Sequence, residues 1–263
     1  MKFLKNWPTI VSVIAIVLVL HIVLLPAFLF FGYPLSYALV AISTTSHVAM
    51  TQPELDVQID RIVYDFIHGG YSVYFVSTTS QDTYFRMVCD GFGLIHLDYS
   101  DSAQSKGHTV ARVEQDYRDR LDEALAEAEF DFEVRQCFAE ITHQYGNEWG
   151  SINKDFGITD AEVQALVLDG AYDFREFAAK YGRITIQILD DQVTVERAAE
   201  ILLELKAYLE KQNIPWYGMD FSLTYDHSEY IQLYDFLNSD VYEEGLVERV
   251  TASNDATHKH FGD

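Results

Sequence analysis

The side chains of this chain that could carry chemistry are its histidines, two cysteines, scattered serines and acid clusters. His68, His96, His143 and His227 fall on separate segments with no HExxH or HxH pattern to aim two imidazoles at one metal. His258 and His260 form an HKH tract near the carboxyl end, of the kind that scavenges metal ions. Pairing His227 with Asp226 or Glu229 as an acid–base unit requires a cleft and a seated substrate. Ser80, Ser102 and Ser228 lack the G-x-S-x-G setting of a nucleophile. Asp90-Gly91-Phe92-Gly93 marks a hairpin turn, not a strand-to-helix phosphate loop. Asp98–Ser102 (DYSDS) opens like a calcium loop. However, Ala103 stands where the turn glycine belongs and Thr109 where a bidentate glutamate is required. Cys89 and Cys137 form no CxxC or zinc spacing. They read as two buried small hydrophobes, or as a cross-domain disulfide if the compartment is oxidising. No residue is therefore assigned to catalysis, cofactor or metal.

The charge balance excludes one class of partner. The chain carries 18 Lys+Arg against 41 Asp+Glu, a net charge of −23. Without Lys2 and Lys5 the remainder holds 16 against 41, or −25. Nucleic-acid affinity rests on cation–phosphate contacts, so such a body repels it. It gains nothing electrostatically from anionic lipid either.

Thr9–Phe31 (TIVSVIAIVLVLHIVLLPAFLFF) contains no Asp, Glu, Lys or Arg. It reaches the length of about 20 residues that spans a bilayer as a helix. Trp7 and Tyr33 flank it as an aromatic belt would. Lys2 and Lys5 precede it, and the next charge is Glu54. The positive-inside rule then keeps the amino terminus in the cytoplasm and exports the body. The run is longer than the h-region of a cleaved signal peptide, and no A-x-A site follows it. Pro26 is expected to kink the span and His21 to sit in it as a neutral imidazole.

Beyond the anchor, Pro34–Gln52 reads as an amphipathic helix packed on a first sheet, with Leu35, Leu39 and Ile42 at helical spacing. In Leu55–Phe66 the alternation of Val57 and Ile59 resumes at Ile62, Tyr64 and Phe66 on a shifted phase, which predicts a bulge. Tyr71–Ser77, Thr83–Cys89 and Leu94–Tyr99 continue an antiparallel meander through turns at His68-Gly69-Gly70 and Asp90-Gly91. Phe75 and Tyr84 are expected in its core. Tyr74 and Phe85 then face the other side, covered by a helix or forming an aromatic binding surface, and an exposed edge strand could take an extended peptide. A helix over Thr109–Ala128 closes this unit, its face marked by Val110, Val113, Tyr117, Leu121 and Leu125. A second unit holds strands at Asp131–Thr142, Arg183–Leu189, Tyr217–Tyr225 and Tyr230–Leu237. Its helices are a short one within Tyr172–Tyr181, Thr194–Lys211, and a closing one at Val241–Val250, after which the tail frays. Asn147–Asp160 reads as a loop. The strand–helix–strand through Thr194–Lys211 implies parallel strands joined by a crossover.

Several stretches together carry a family resemblance: GYPLS (32–36), RIVYDF (61–66) followed by TSQDTYFRM (79–87), YGRITIQILDDQVTVERAAEILLELK (181–206), NIPWYGMDFSL (213–223) and FLNSDVYEEGLVERV (236–250). With these the chain resembles the YfjL-like family of small membrane-anchored bacterial proteins. The resemblance runs over nearly all of the chain beyond the anchor and implies an anchor and two α+β domains. It supplies no catalytic residues.

The expectation is an α+β protein with an N-terminal transmembrane helix and two small α+β domains. The anchor is 1–33, the N-terminal domain 34–129 (helix–antiparallel meander–helix), the C-terminal domain 130–250 (with a strand–helix–strand unit) and the flexible tail 251–263. The expected role is a non-catalytic extracytoplasmic binding or envelope-associated module. The membrane is its partner through the first helix, with a protein or peptide partner beyond it and no nucleic acid. The alternatives are a metal-assisted hydrolase with its site between the domains and a membrane-held regulator of a protein partner.

Overall fold

The computed structural model describes residues 7–144, 156–225 and 229–261; side chains at 7–9, 21, 23–27, 29, 260 and 261 also lie outside the described residues. The chain divides into two compact units, Met1–Ser105 and Lys106–Asp263.

In the first unit α1 runs Trp7–Phe31 and α2 runs Pro34–Thr51. Pro34 opens α2, where its missing N–H costs nothing. Gly32 joins the two helices at φ +77, which L residues adopt only under strain. Among the described residues no helix is long and apolar enough to cross a membrane. The apolar run of α1 enters that finding only in part, because several of its side chains, those of His21 and Pro26 among them, lie outside the described residues.

A four-stranded antiparallel meander follows, β1 (Val57–Asp65), β2 (Gly70–Ser77), β3 (Tyr84–Cys89) and β4 (Ile95–Asp98), in that order. The phase shift in β1 is a register break between Ile59 and Arg61. Tyr71, Val73 and Phe75 of β2 and Phe85, Met87 and Cys89 of β3 make the core with Val40 and Val48 of α2. The expectation that Tyr84 joins Phe75 in the core while Phe85 faces the other side is thus corrected at Tyr84 and Phe85. The register sets Phe75 opposite Phe85, whose rings stack at 4.9 Å, and leaves Tyr84 exposed.

In the second unit β5 (Glu133–Ile141), β6 (Gly182–Leu189), β7 (Gly218–Thr224) and β8 (Tyr230–Leu237) form a mixed sheet in sequence order. β6 and β7 are parallel, and the outer pairs are antiparallel. α6 (Val195–Lys211) connects the parallel strands; Thr194 caps it by accepting the Arg197 N–H. Ile184, Ile186, Ile188, Phe221 and Leu223 meet Leu202, Leu205 and Leu209 of α6 in one core.

Three expectations are corrected here. The helix assigned to the first domain, α3 (Lys106–Ala126), belongs to the second. Its Val110, Val113, Tyr117 and Leu121 lie in the core formed by the β5–β8 sheet, so the first unit is helix plus meander without a closing helix. The closing helix α7 is Leu246–Phe261, so residues 251–261 continue it rather than fray. It begins late because Arg249 takes the carbonyls of Asp240, Tyr242 and Glu244 as acceptors, holding 241–244 out of the α-helix. Of the expected loop Asn147–Asp160, residues 147–155 lie outside the described residues, and Asp160 opens a short helix, α4 (Asp160–Ala165). α5 (Phe174–Tyr181) precedes β6.

Candidate functional sites

Several of the described His, Ser and Asp side chains make local structural contacts. His68 Nδ1 lies 2.7 Å from Asp65 in an exposed turn, and His96 is an exposed residue of β4. His143 sits at a bridge to Ile158, and His258 packs its ring on Tyr230 at 5.2 Å. Asp226, His227 and Ser228 lie outside the described residues, as does the His260 side chain. Ser80 donates to the Thr83 hydroxyl and Ser102 to the Tyr99 carbonyl. In the calcium-like run, Asp98 accepts from the Ser100 N–H and pairs with His47, while Asp101 accepts from Gln52. Among the described residues no group of three or more His, Cys, Asp or Glu is placed to hold a metal ion, so the hydrolase alternative has no ligand set there. Cys89 and Cys137 are free thiols in different units. Burial pushes them up to about 11 and about 12, leaving almost no thiolate to react at neutral pH.

What spacing alone did not show is a row across the outer face of the first sheet. Register sets Arg61 of β1 opposite Tyr74 of β2, and Tyr74 opposite Arg86 of β3. The Arg61 guanidinium lies 4.4 Å from the Tyr74 ring centre, and Arg86 lies 5.4 Å from that of Tyr99. Hydrogen bonds to Tyr74 and Tyr99 hold the Arg86 proton more firmly than usual. Val63, Tyr84, Leu97 and Tyr99 are exposed. Two cations and several aromatics thus line one face of an otherwise acidic chain, a surface that can stack on planar groups and accept anionic ones. The signal was Arg61, Tyr74 and Arg86 at outward positions, readable only once the register is known.

The second unit holds a largely buried ionic cluster on β5, β6, β7 and β8. Arg183 Nη2 donates to Asp235 over 2.5 Å, and Arg183 Nη1 lies 3.6 Å from Asp220 and 3.7 Å from Glu140. Phe156 lies over the guanidinium at 5.0 Å. Asp235 has φ +50 where the β7–β8 register breaks, and its N–H donates to Asp220 Oδ1 over 2.8 Å. Desolvation raises the Asp220 carboxyl to about 6, against the pull of Arg183. Asp235 takes the short hydrogen bond from Arg183, while Asp220 sits farther from the guanidinium. A shallow hollow of about 340 Å³ lies elsewhere, between α3 and the start of α5. Asp116, Asp119, Glu123 and Asp173 line it with Arg120 and two aromatics.

Two four-stranded α+β units, one an antiparallel meander packed on α2 and the other a mixed sheet with a parallel centre, define the class of protein. The YfjL-like N-terminal domain matches residues 7–99 and the YfjL-like C-terminal domain residues 116–251. The chain belongs to the YfjL-like family. Neither the curated proteins nor the solved structures provide a match.

Proposed function

We propose that this chain is a single-pass membrane-anchored protein whose two units work on the extracytoplasmic side as a non-catalytic binding module. The observation that carries the reading is α1. Its 25 residues extend about 37 Å at 1.5 Å per residue, against a hydrocarbon core of about 30 Å. Thr9–Phe31 holds no Asp, Glu, Lys or Arg. The large aliphatic side chains described from Ile10 to Ile22 are 46–68% exposed. In water each would forgo up to about 1.5–3 kcal/mol of burial; in lipid that cost disappears. Lys2 and Lys5 ahead of the run, with no further charge before Glu54, favour a cytoplasmic amino terminus.

The Arg61–Tyr74–Arg86 face supplies the binding surface, suited to an anionic or aromatic partner. A membrane-held regulator is the same reading with a protein on that face. Alkaline carbonate extraction tests the anchor. Retention of the full chain in the membrane pellet is expected, and its release with peripheral proteins would defeat the reading.

A further inference from the structure

One end of the first unit gathers exposed apolar side chains around the joint between α1 and α2. The turn from β1 to β2 presents Phe66 and Ile67, 57% and 73% exposed, and the turn from β3 to β4 presents Phe92 and Leu94, 86% and 62% exposed. A meander puts these two turns at the same end of its sheet, opposite the β2–β3 turn. The first turn touches the end of α1, where the Phe30 and Phe66 rings lie 5.9 Å apart. The second is fastened to α2, where Ser43 donates to the Gly93 carbonyl over 2.7 Å. Gly93 has φ +84, and a Cβ there would meet Ser43 Cβ at 2.7 Å, so only glycine lets the turn lie this close to the helix. α2 itself carries no Asp, Glu, Lys or Arg and exposes Leu35 at 61%.

The acids in these turns are bound to the backbone. Asp65 accepts from the N–H groups of Ile67 and His68, and Asp90 from those of Phe92 and Leu94. Each carboxylate folds its turn around itself, which leaves the apolar side chains outermost. Isolated exposed hydrophobes are ordinary, but a set on two fixed turns, continuous with the end of a long apolar helix, marks an interaction surface.

We propose that these turns, with Leu35, seat the first unit on the headgroup–acyl boundary of the bilayer beside the anchor. This rests on the membrane reading of α1. The occupant is lipid rather than a protein because the patch adjoins the exit of α1, where bilayer is the nearest surface. Its contact is apolar, as a body of net −25 requires.

Nitroxide labels on Ile67→Cys, Phe92→Cys, Thr79→Cys and Val17→Cys test it in the full chain reconstituted into phosphatidylcholine vesicles. Wild type, with Cys89 buried and Cys137 half-buried, sets the background. Collision with oxygen and with an aqueous nickel chelate is read by power saturation. Labels at 67 and 92 should meet the chelate several-fold less often than the label at 79, on the opposite turn, and the contrast should survive high salt. Chelate access at either 67 or 92 equal to that at 79 overturns the docking. Val17 separates the two readings: shielding there with open turns leaves the anchor standing alone, and chelate access there sinks the anchor.

Discussion

The backbone N–H of Tyr33 donates to the hydroxyl oxygen of Tyr71 over 3.0 Å, tying the joint between α1 and α2 to β2. Tyr37 adds a second tie by donating to the Phe31 carbonyl over 2.8 Å. The direction in which the chain leaves α1 is thus set by one bond to the first sheet and one between α2 and the end of α1.

Gly32→Ala should loosen that joint. Its φ of +77 costs an L residue about 1–2 kcal/mol, and the new Cβ would meet Tyr71 Oη at 2.7 Å and Tyr64 Cγ at 3.0 Å. We expect a loss of about 2 kcal/mol or more, read as a lower melting temperature of the full chain in detergent micelles. Wild-type stability would contradict the geometry.

The carboxyl of Asp220 makes stability fall as pH rises. Its folded pKa of about 6 lies above the ordinary aspartate value of 3.8, so the folded state binds the proton more tightly than the unfolded chain. Its stabilising contribution is full below pH 3.8 and is lost as pH passes through 6, an effect of up to about 3 kcal/mol. The stability of wild type minus that of Asp220→Asn should decline between pH 4 and pH 6. A flat or rising difference would show that the carboxylate ionises without cost.

Glu162 should behave in the opposite sense. Hydrogen bonds from the Thr159 backbone, then from Tyr181 and Lys180, lower it to about 2. Its contribution is therefore present above the usual 4.5 and lost as pH falls toward 2. It also completes the capping box of α4 with Thr159. Because the side chain is well exposed, Glu162→Ala should cost only about 1 kcal/mol at pH 7. Denaturant titration at pH 7 and at pH 3 should show the difference shrinking at the lower pH.

Much of the fold was legible because local pattern and tertiary demand agree. RITIQIL alternates as β6 requires, the wide stripe of α6 faces its sheet, and the phase slip of β1 is a register break. The stripe of α3 announced burial but not the sheet that buries it, since an amphipathic face names no partner. The tail misled because its sequence is polar, yet Thr257 is buried and Asn254 accepts from the Gln232 N–H. α4 carries a local signal in the capping box Thr159-Asp-Ala-Glu162, set inside a stretch whose composition otherwise reads as loop. The cluster of Arg183, Asp220 and Asp235 had none: at outward strand positions such residues read as solvated, and the β8 irregularity that buries Asp235 depends on pairing across the sheet.

Protease shaving of intact cells, with one epitope ahead of Met1 and another after Asp263, tests the central claim most directly. The account predicts that the carboxyl-terminal epitope disappears while the amino-terminal one survives on a short membrane-bound fragment. Survival of both epitopes until the cells are broken would place the body inside and contradict it.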